Sequence, residues 1–392
     1  MTYDTIVVGA GIFGITAALE LNERGHRVAV LDPGPLPHHL AASTDISKVI
    51  RMEYGSDEQY MAMVEQSLSG WRRWNEASGD TLYHETGVVM LTRAPMSPGG
   101  FEYDSYQMLL KRGHRPERLD AEEIARRFPA WQPGAYVDGF FHAKAGYVES
   151  GRLVAALTER AKVEGVEVYP GQEVVGLIET NDGVSDVRCR SGDTFHAGHV
   201  AVAAGTWTPL LVPELAPVMR SVGQPVFHLK PAEPALFRQV RFPVFTADVA
   251  NTGWYGFPLH PRENVVKIAN HGAGQLLHPS QDERIVTEAD VRRLRTFLAD
   301  TFPALVDAPI VRTRRCLYCD TLDEHLWIDR HPERQGLTVA AGGSGHGFKF
   351  APILGQLIAD AIEGRPNAWL PKFRWRDLSP GTSGQEAARH HG

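Results

Sequence analysis

The sequence predicts an α/β protein, with a parallel-sheet domain interrupted by a discontinuous, mainly antiparallel β domain. Three observations predict it. A strand, glycine turn, helix and second strand open the chain. Buried strands ending on small residues return near Val202 and Ala341, and β-like, Pro-containing runs fill the stretches between. At 392 residues and roughly 150 per domain, two or three domains are expected.

Asp4-Thr5-Ile6-Val7-Val8 is an apolar run of the kind buried on both faces of a parallel sheet. Gly9-Ala10-Gly11-Ile12-Phe13-Gly14 follows and leads into a helical segment, Ile15 to Arg24, closed by Gly25. The next strand ends at Asp32. Gly9 serves the tight turn, Gly11 lets backbone approach a pyrophosphate, and Gly14 allows helix and sheet to pack closely. The helix N-terminus faces the phosphates, and Asp32 is placed to accept hydrogen bonds from the adenosine ribose. A lone GxGxxG is a weak signal, but the whole βαβ unit with its terminal acid makes this a Rossmann-like dinucleotide site. The unit alone does not separate NAD from FAD; its position at the start of a long chain favours FAD.

Asp57 to Asn75 carries an amphipathic stripe, Met61, Val64, Leu68 and Trp71, which reads as core. Before it, Lys48 and Arg51 stand in an apolar segment and on the residues alone read as solvated cations of a strand edge. Arg152 to Glu164 reads as a helix, followed by strands at Val166–Tyr169 and Glu173–Ile178, the latter in a meander beside the parallel sheet. His199 to Trp207 is a second buried strand ending on Ala203-Ala204-Gly205. The expected division is a dinucleotide-binding domain from 1–86, 144–222 and 316–378, with a substrate domain from 87–143 and 223–315. The Ser/Gly-rich residues 379–392 are expected to be a disordered tail.

Near the C-terminus, Leu337 to Ala341 runs into Gly342-Gly343-Ser344-Gly345-His346-Gly347-Phe348-Lys349 and then a helix with Ile353, Leu354, Leu357 and Ile358 on one face. This turn is not a nucleophile elbow, because His346 stands where GxSxG requires its last Gly. Cys316 and Cys319 have the spacing of a redox dithiol but lead toward a strand, and the absence of a second CxxC or HxxxH argues against zinc; no metal is expected.

Composition sets the outer limits. Forty basic against 47 acidic residues leave a net charge of −7, the wrong sign for a protein devoted to nucleic acid. Three cysteines are too few for a disulfide framework, so a reducing compartment, the cytoplasm, is expected. The opening residues have no basic region and no apolar run of the ~18 residues a spanning helix needs, so neither signal peptide nor membrane anchor is expected.

These motifs occur together, in order, from about residue 4 to 375. They are GAGIFG with Asp32, Arg51-x-x-Tyr54-Gly55, Ala203 to Trp207, Tyr255-Gly256-Phe257-Pro258, Cys316-Leu317-Tyr318 with Thr321-x-Asp323-Glu324-His325, and Ser344 to Lys349. In this the chain resembles the amine oxidases related to monomeric sarcosine oxidase and N-methyltryptophan oxidase, within the D-amino-acid-oxidase-like flavoproteins. The resemblance implies an FAD enzyme that oxidises a secondary or N-substituted amino acid to an imine, with O2 as acceptor and hydrogen peroxide as product. It implies a thioether from Cys316 to the flavin, although Cys319 departs from the sarcosine oxidase type; Arg314 and Arg315, adjacent in sequence, are cations expected to favour the thiolate. It further implies that Arg51 and Lys349 hold the substrate carboxylate and that Lys267 activates O2. Lys267 would otherwise read as a solvated strand lysine. Tyr255, His271 and Tyr318 match pocket residues. Lys48, aligned with a family arginine, and Ser344, Gly345, His346, Gly347 and Lys349 are implied to face the cofactor. The expected partners are a small amino-acid-type amine and O2, and the expected state is a monomer. The rival reading is a flavin dehydrogenase of amino acids that uses another electron acceptor.

Overall fold

The opening unit forms as its sequence predicts: strand β1 (Thr2–Val8), helix α1 (Ile12–Glu23) and strand β2 (Val28–Asp32), with β1 and β2 parallel. The structure, a computed structural model, describes residues 2–180 and 183–391. Strand β1 lies between β2 and the Thr194–Val202 strand, also parallel, and β2 pairs with Glu167–Pro170. On the far edge of Thr194–Val202, the antiparallel meander of Val174–Thr180 and Gly183–Cys189 pairs with its beginning. Leu337–Ala341 pairs in parallel with its end. Apolar runs with no polar alternation end up buried on both faces for the reason given above, since helices cover the sheet.

The cover is specific. Helix Ala351–Glu363 buries Ile353, Leu354, Leu357 and Ile358, each worth about 1.5–3 kcal/mol out of water. Its Gly355 meets α1 so closely that a Cβ there would stand 2.4 Å from the Thr16 carbonyl oxygen. That crossing holds the C-terminal glycine turn beside the N-terminal one, although more than 300 residues separate them in sequence.

A second sheet of nine strands runs mainly antiparallel. Its longest pairing joins Met219–Leu229 to Ile310–Thr321 in register from Met219 with Thr321 to Leu229 with Ile310. Both strands run across the sequence boundaries expected at 222/223 and 315/316, so Cys316, Tyr318 and Cys319 belong to this sheet. A third, small sheet joins Lys48–Ile50, Gly146–Val148 and Tyr83–His84.

The structure corrects two expectations here. Arg51 and Lys267 are not solvated: they are 7% and 2% exposed. The segment from Ser379 to His391 is not a disordered tail. It contains no helix or strand, yet Glu386, Ala388 and Arg389 are buried; residue 392 lies outside the described residues. Composition failed because this segment is held by ion pairs to distant residues rather than by a core of its own.

Candidate functional site

A cleft of about 840 Å3 is lined by residues of both large sheets, Asp32 and Tyr318 among them, and by Arg190, Lys48 and Phe348. Glycine geometry opens it. Gly9 has φ +106°, and a Cβ there would meet the Ala203 oxygen at 2.6 Å, while a Cβ on Gly14 would stand 1.9 Å from the Gly9 oxygen. Backbone therefore lines the floor at Gly9 and Gly11, and Gly14 keeps α1 against the sheet. At the helix entrance the Ser43 hydroxyl accepts the Ile12 N–H at 3.0 Å. The Asp32 carboxylate accepts from the Ala10 and Gly34 N–H groups, at 2.9 and 3.2 Å, which fixes it at the cleft edge; burial raises its pKa. A cleft of this size with a glycine floor, a helix N-terminus and a positioned carboxylate fits a dinucleotide such as FAD.

The second glycine turn forms the opposite wall. Ser344 has φ +42°, an unusual conformation for a residue with a side chain. It is pinned by its N–H to the Cys319 carbonyl at 3.0 Å and by its hydroxyl to the Gly342 carbonyl at 3.1 Å. Ser344, Gly345 and Gly347 line the cleft; His346 and Lys349 do not. Both side chains are buried instead in a chamber of polar groups that includes Tyr54 and the Glu324 carbonyl. There His346 is paired with the Tyr54 hydroxyl and the Glu324 carbonyl, both at 2.9 Å. Burial pushes the His346 imidazole down to about 3, so it is neutral.

Two cations share Tyr54 in this chamber. Lys349 donates to the Tyr54 hydroxyl at 2.8 Å and to the His346 carbonyl at 3.1 Å, and the Arg51 guanidinium lies 5.5 Å from the centre of the Tyr54 ring. Arg51 also donates to the Glu53 carbonyl. Burial, and then the charge of Arg51, hold the Lys349 ammonium well below the usual lysine range. His271 and Tyr318 connect chamber to cleft: their rings are 6.0 Å apart, and a Cβ on Gly345 would meet Tyr318 at 2.5 Å and His271 at 3.0 Å. Tyr255 hydrogen-bonds Tyr318, and burial raises its phenol.

Lys267 belongs to a separate cluster. Its ammonium donates to the Asp45 carboxylate and to the Ser47 carbonyl, both at 2.6 Å, and lies 4.7 Å from the centre of the Phe257 ring. Burial lowers it to about 8, with Asp45 opposing. Lys48 lines the cleft and brings its ammonium 4.0 Å from the Cys316 sulfur. The arginines expected beside this thiol are occupied elsewhere: Arg315 pairs with Asp290, and Arg314 donates to the Ala41 and Thr44 carbonyls. Cys316 and Cys319 sit on one strand and pack in different clusters, Cys316 in the one with Val226 and Tyr318, Cys319 against Met219. Residues three apart on a strand face opposite ways, which removes the dithiol reading. Burial pushes the Cys319 thiol up to about 12.

Sequence reasoning missed three participants. Asp45 had no signal beyond being an acid three residues before Lys48. Tyr54 stood inside a recognised motif without a role. Glu386, whose carboxylate lies 2.6 Å from the His271 ring nitrogen and 3.9 Å from Arg51, fell in the supposed tail.

Comparisons with known proteins agree with this geometry. Residues 4–361 match the family described as FAD dependent oxidoreductase (DAO). N-methyl-L-tryptophan oxidase of Salmonella arizonae is 30% identical over 382 residues, 95% of this chain and 98% of the relative. Monomeric sarcosine oxidase of Streptomyces avermitilis is 30% identical over 366 residues, 92% of this chain and 93% of the relative. Among solved structures, fructosamine oxidase (Amadoriase II) of Aspergillus fumigatus superposes with a TM-score of 0.85 at 26% identity, covering 100% of this chain and 94% of that one. With an FAD-shaped cleft walled by both glycine turns and a family match across nearly the whole chain, the protein belongs to the FAD dependent oxidoreductases.

Proposed function

We propose that the chain oxidises a secondary or N-substituted amino acid, sarcosine-like, N-methyl or cyclic, to its imine, which water then hydrolyses. The observation that carries this reading is the pair Arg51 and Lys349, buried together around Tyr54. Two cations in one chamber exist at a desolvation cost that an incoming carboxylate offsets. A carboxylate held by both places the α-carbon toward the cleft, past Gly345 and Tyr318, in one orientation. Tyr318, Tyr255 and His271 border that path. Their task is to orient the amine and exclude water, and to favour the neutral amine, since only a neutral amine gives up hydride readily. When bound, FAD supplies the two-electron acceptor, which O2 reoxidises with release of hydrogen peroxide.

The remaining assignments support the same reaction. Lys267 holds a fixed positive charge in a dry site, which stabilises the anion formed as O2 takes its first electron. Cys316, with the Lys48 ammonium 4.0 Å from its sulfur and its strand neighbours Leu317 and Tyr318 lining the cleft, is the residue that would hold the flavin covalently. Gly9, Gly11, Asp32, Ser344, Gly345 and Gly347 hold the cofactor, and Gly14 holds the helix that faces it.

The test is a panel of sarcosine, N-methyltryptophan, pipecolate, proline and fructosyl amino acids, read by peroxide formed per substrate consumed. One or more should give stoichiometric peroxide. Turnover with an artificial acceptor but no peroxide would favour a dehydrogenase instead. Acid-precipitated protein should stay yellow, and release of all the flavin would refute attachment through Cys316.

A further inference from the structure

The chamber assigned to the substrate carboxylate already contains a carboxylate from the chain itself. Glu386 is 5% exposed; one of its oxygens is 2.6 Å from His271, and the other is 3.9 Å from Arg51. The segment that carries it is seated at several points. The Gln385 N–H donates to the Asp323 carbonyl and the Glu386 N–H to the Glu324 carboxylate, at 3.2 and 3.0 Å. Arg389 pairs with Asp320 at 2.5 Å and with Glu324 at 3.1 Å, and the His390 N–H donates to the His271 carbonyl at 3.1 Å.

We propose that residues 379–391 form a pseudosubstrate strap: Glu386 occupies the carboxylate subsite, and an amino acid substrate binds productively only by displacing it. The inference rests on the reading of Arg51 and Lys349 as that subsite.

Charge explains why the strap sits there. Lys349 has hydroxyl and carbonyl partners and, among the described residues, no carboxylate within hydrogen-bond reach, and Arg51 is buried beside it; Glu386 and then Glu53 supply the negative charge that Lys349 feels. Burial alone would raise the Glu386 carboxyl; His271 leads the groups that outweigh it and keep the group ionised. Replacing Glu386 by a substrate carboxylate leaves the net charge of the chamber unchanged, so the exchange strands no cation.

Chain structure explains how the strap can leave. The segment has no helix or strand, and its buried anchors are one alanine, Ala388, and the polar side chains named above. Such a polar seat, without a regular hydrogen-bond ladder, opens locally rather than with the whole fold. The strap also selects: an amine without a carboxylate gives Arg51 and Lys349 nothing in exchange for Glu386 and is excluded.

The experiment compares the intact holoenzyme, E386Q, and a holoenzyme ending at Leu378. The probe is propionate, a carboxylate with no amine to oxidise, titrated through the change in flavin absorption. Hydrogen exchange of residues 379–391 is followed with and without saturating propionate. The expected result is a propionate Kd at least about tenfold tighter in both variants, the penalty a mostly closed site imposes, together with lost protection of 379–391 in the intact enzyme at saturation. E386Q preserves the seat, so the result does not depend on whether the shortened chain folds. An equal, measurable Kd in intact enzyme and E386Q, or unchanged protection at saturation, overturns the strap while leaving the carboxylate subsite standing. No propionate binding in any variant overturns both.

Discussion

Lys267 and Lys349 are both almost fully buried, yet the chain treats them differently. Lys267 has a carboxylate of its own, Asp45, at 2.6 Å, and the pair is sealed beneath the Phe257 ring. Among the described residues Lys349 has only neutral hydrogen-bond partners, and it has a second cation for a neighbour. The first arrangement gives the charge a partner of its own, whether or not a ligand is bound. The second keeps a charge conditional on an anion that enters and leaves. A cation with its own counter-ion suits stabilisation of a developing anion, and a conditional one suits substrate binding, so the difference in partners fits the proposal that the two lysines serve different half-reactions.

The sharpest way to break this comparison is to remove the permanent partner. Asp45→Asn strands the Lys267 charge in the interior and should cost about 3–5 kcal/mol of unfolding free energy, measured by denaturant titration of the holoenzyme. Lys349→Met removes no ion pair and should cost far less. The double variant Asp45→Asn with Lys267→Met should recover much of the loss, since no orphaned charge remains. Equal destabilisation by Asp45→Asn and Lys349→Met would erase the distinction.

Function should separate the lysines as well. In Lys267→Met, stopped-flow mixing of the amine-reduced enzyme with O2 should show reoxidation slower by about 10²–10³-fold, the scale of losing one preorganised electrostatic group. Anaerobic reduction by amine should change little. Lys349→Met should do the reverse. Loss of a charge-assisted hydrogen bond worth about 1.5–3 kcal/mol lowers kcat/KM for the amino acid by roughly 10–100-fold, mostly through KM, with O2 reactivity intact. A Lys349→Met enzyme whose only defect is with O2 would exchange the two roles.

The legibility of the two regions in sequence follows the range of the interactions that build them. The cleft is local: GAGIFG, the strand before it and Asp32 lie within thirty residues, and each glycine answers a backbone need visible in the motif. The Ser344 turn was legible for the same reason. The chamber and the Lys267 cluster are not local. Arg51, Lys267 and Lys349 look like surface cations until the fold places them inside, and only a family resemblance singled them out. Asp45 gave no pattern, because a carboxylate that neutralises Lys267 need only be near it after folding. Glu386 was hidden by its Ser/Gly-rich surroundings, which read as disorder when the partners, His271, Asp320 and Glu324, are more than sixty residues away.

The smallest expected effect is also the one in which stability and activity move in opposite directions. Burial lowers Lys267 from the ordinary 10.5 to about 8, although Asp45 opposes the shift. Below pH 8 the ammonium is charged in both folded and unfolded chains, and the cost of burying it is fully present. Between about pH 8 and 10.5 the unfolded chain holds the proton more often than the folded one, so this group's contribution to stability rises with pH. Over the same limb the folded protein loses the charge that the O2 step uses, so reoxidation should slow as pH rises through about 8. Buried tyrosines such as Tyr54, whose phenol burial raises, act in the opposite sense on stability at higher pH. The quantity to measure is therefore the difference between the parent enzyme and Lys267→Met. That difference should show stability gained and reoxidation rate lost across one titration. A reoxidation profile flat through pH 8 in the parent would mean that Lys267 is not the charge O2 encounters, and the contrast with Lys349 would then be one of stability alone.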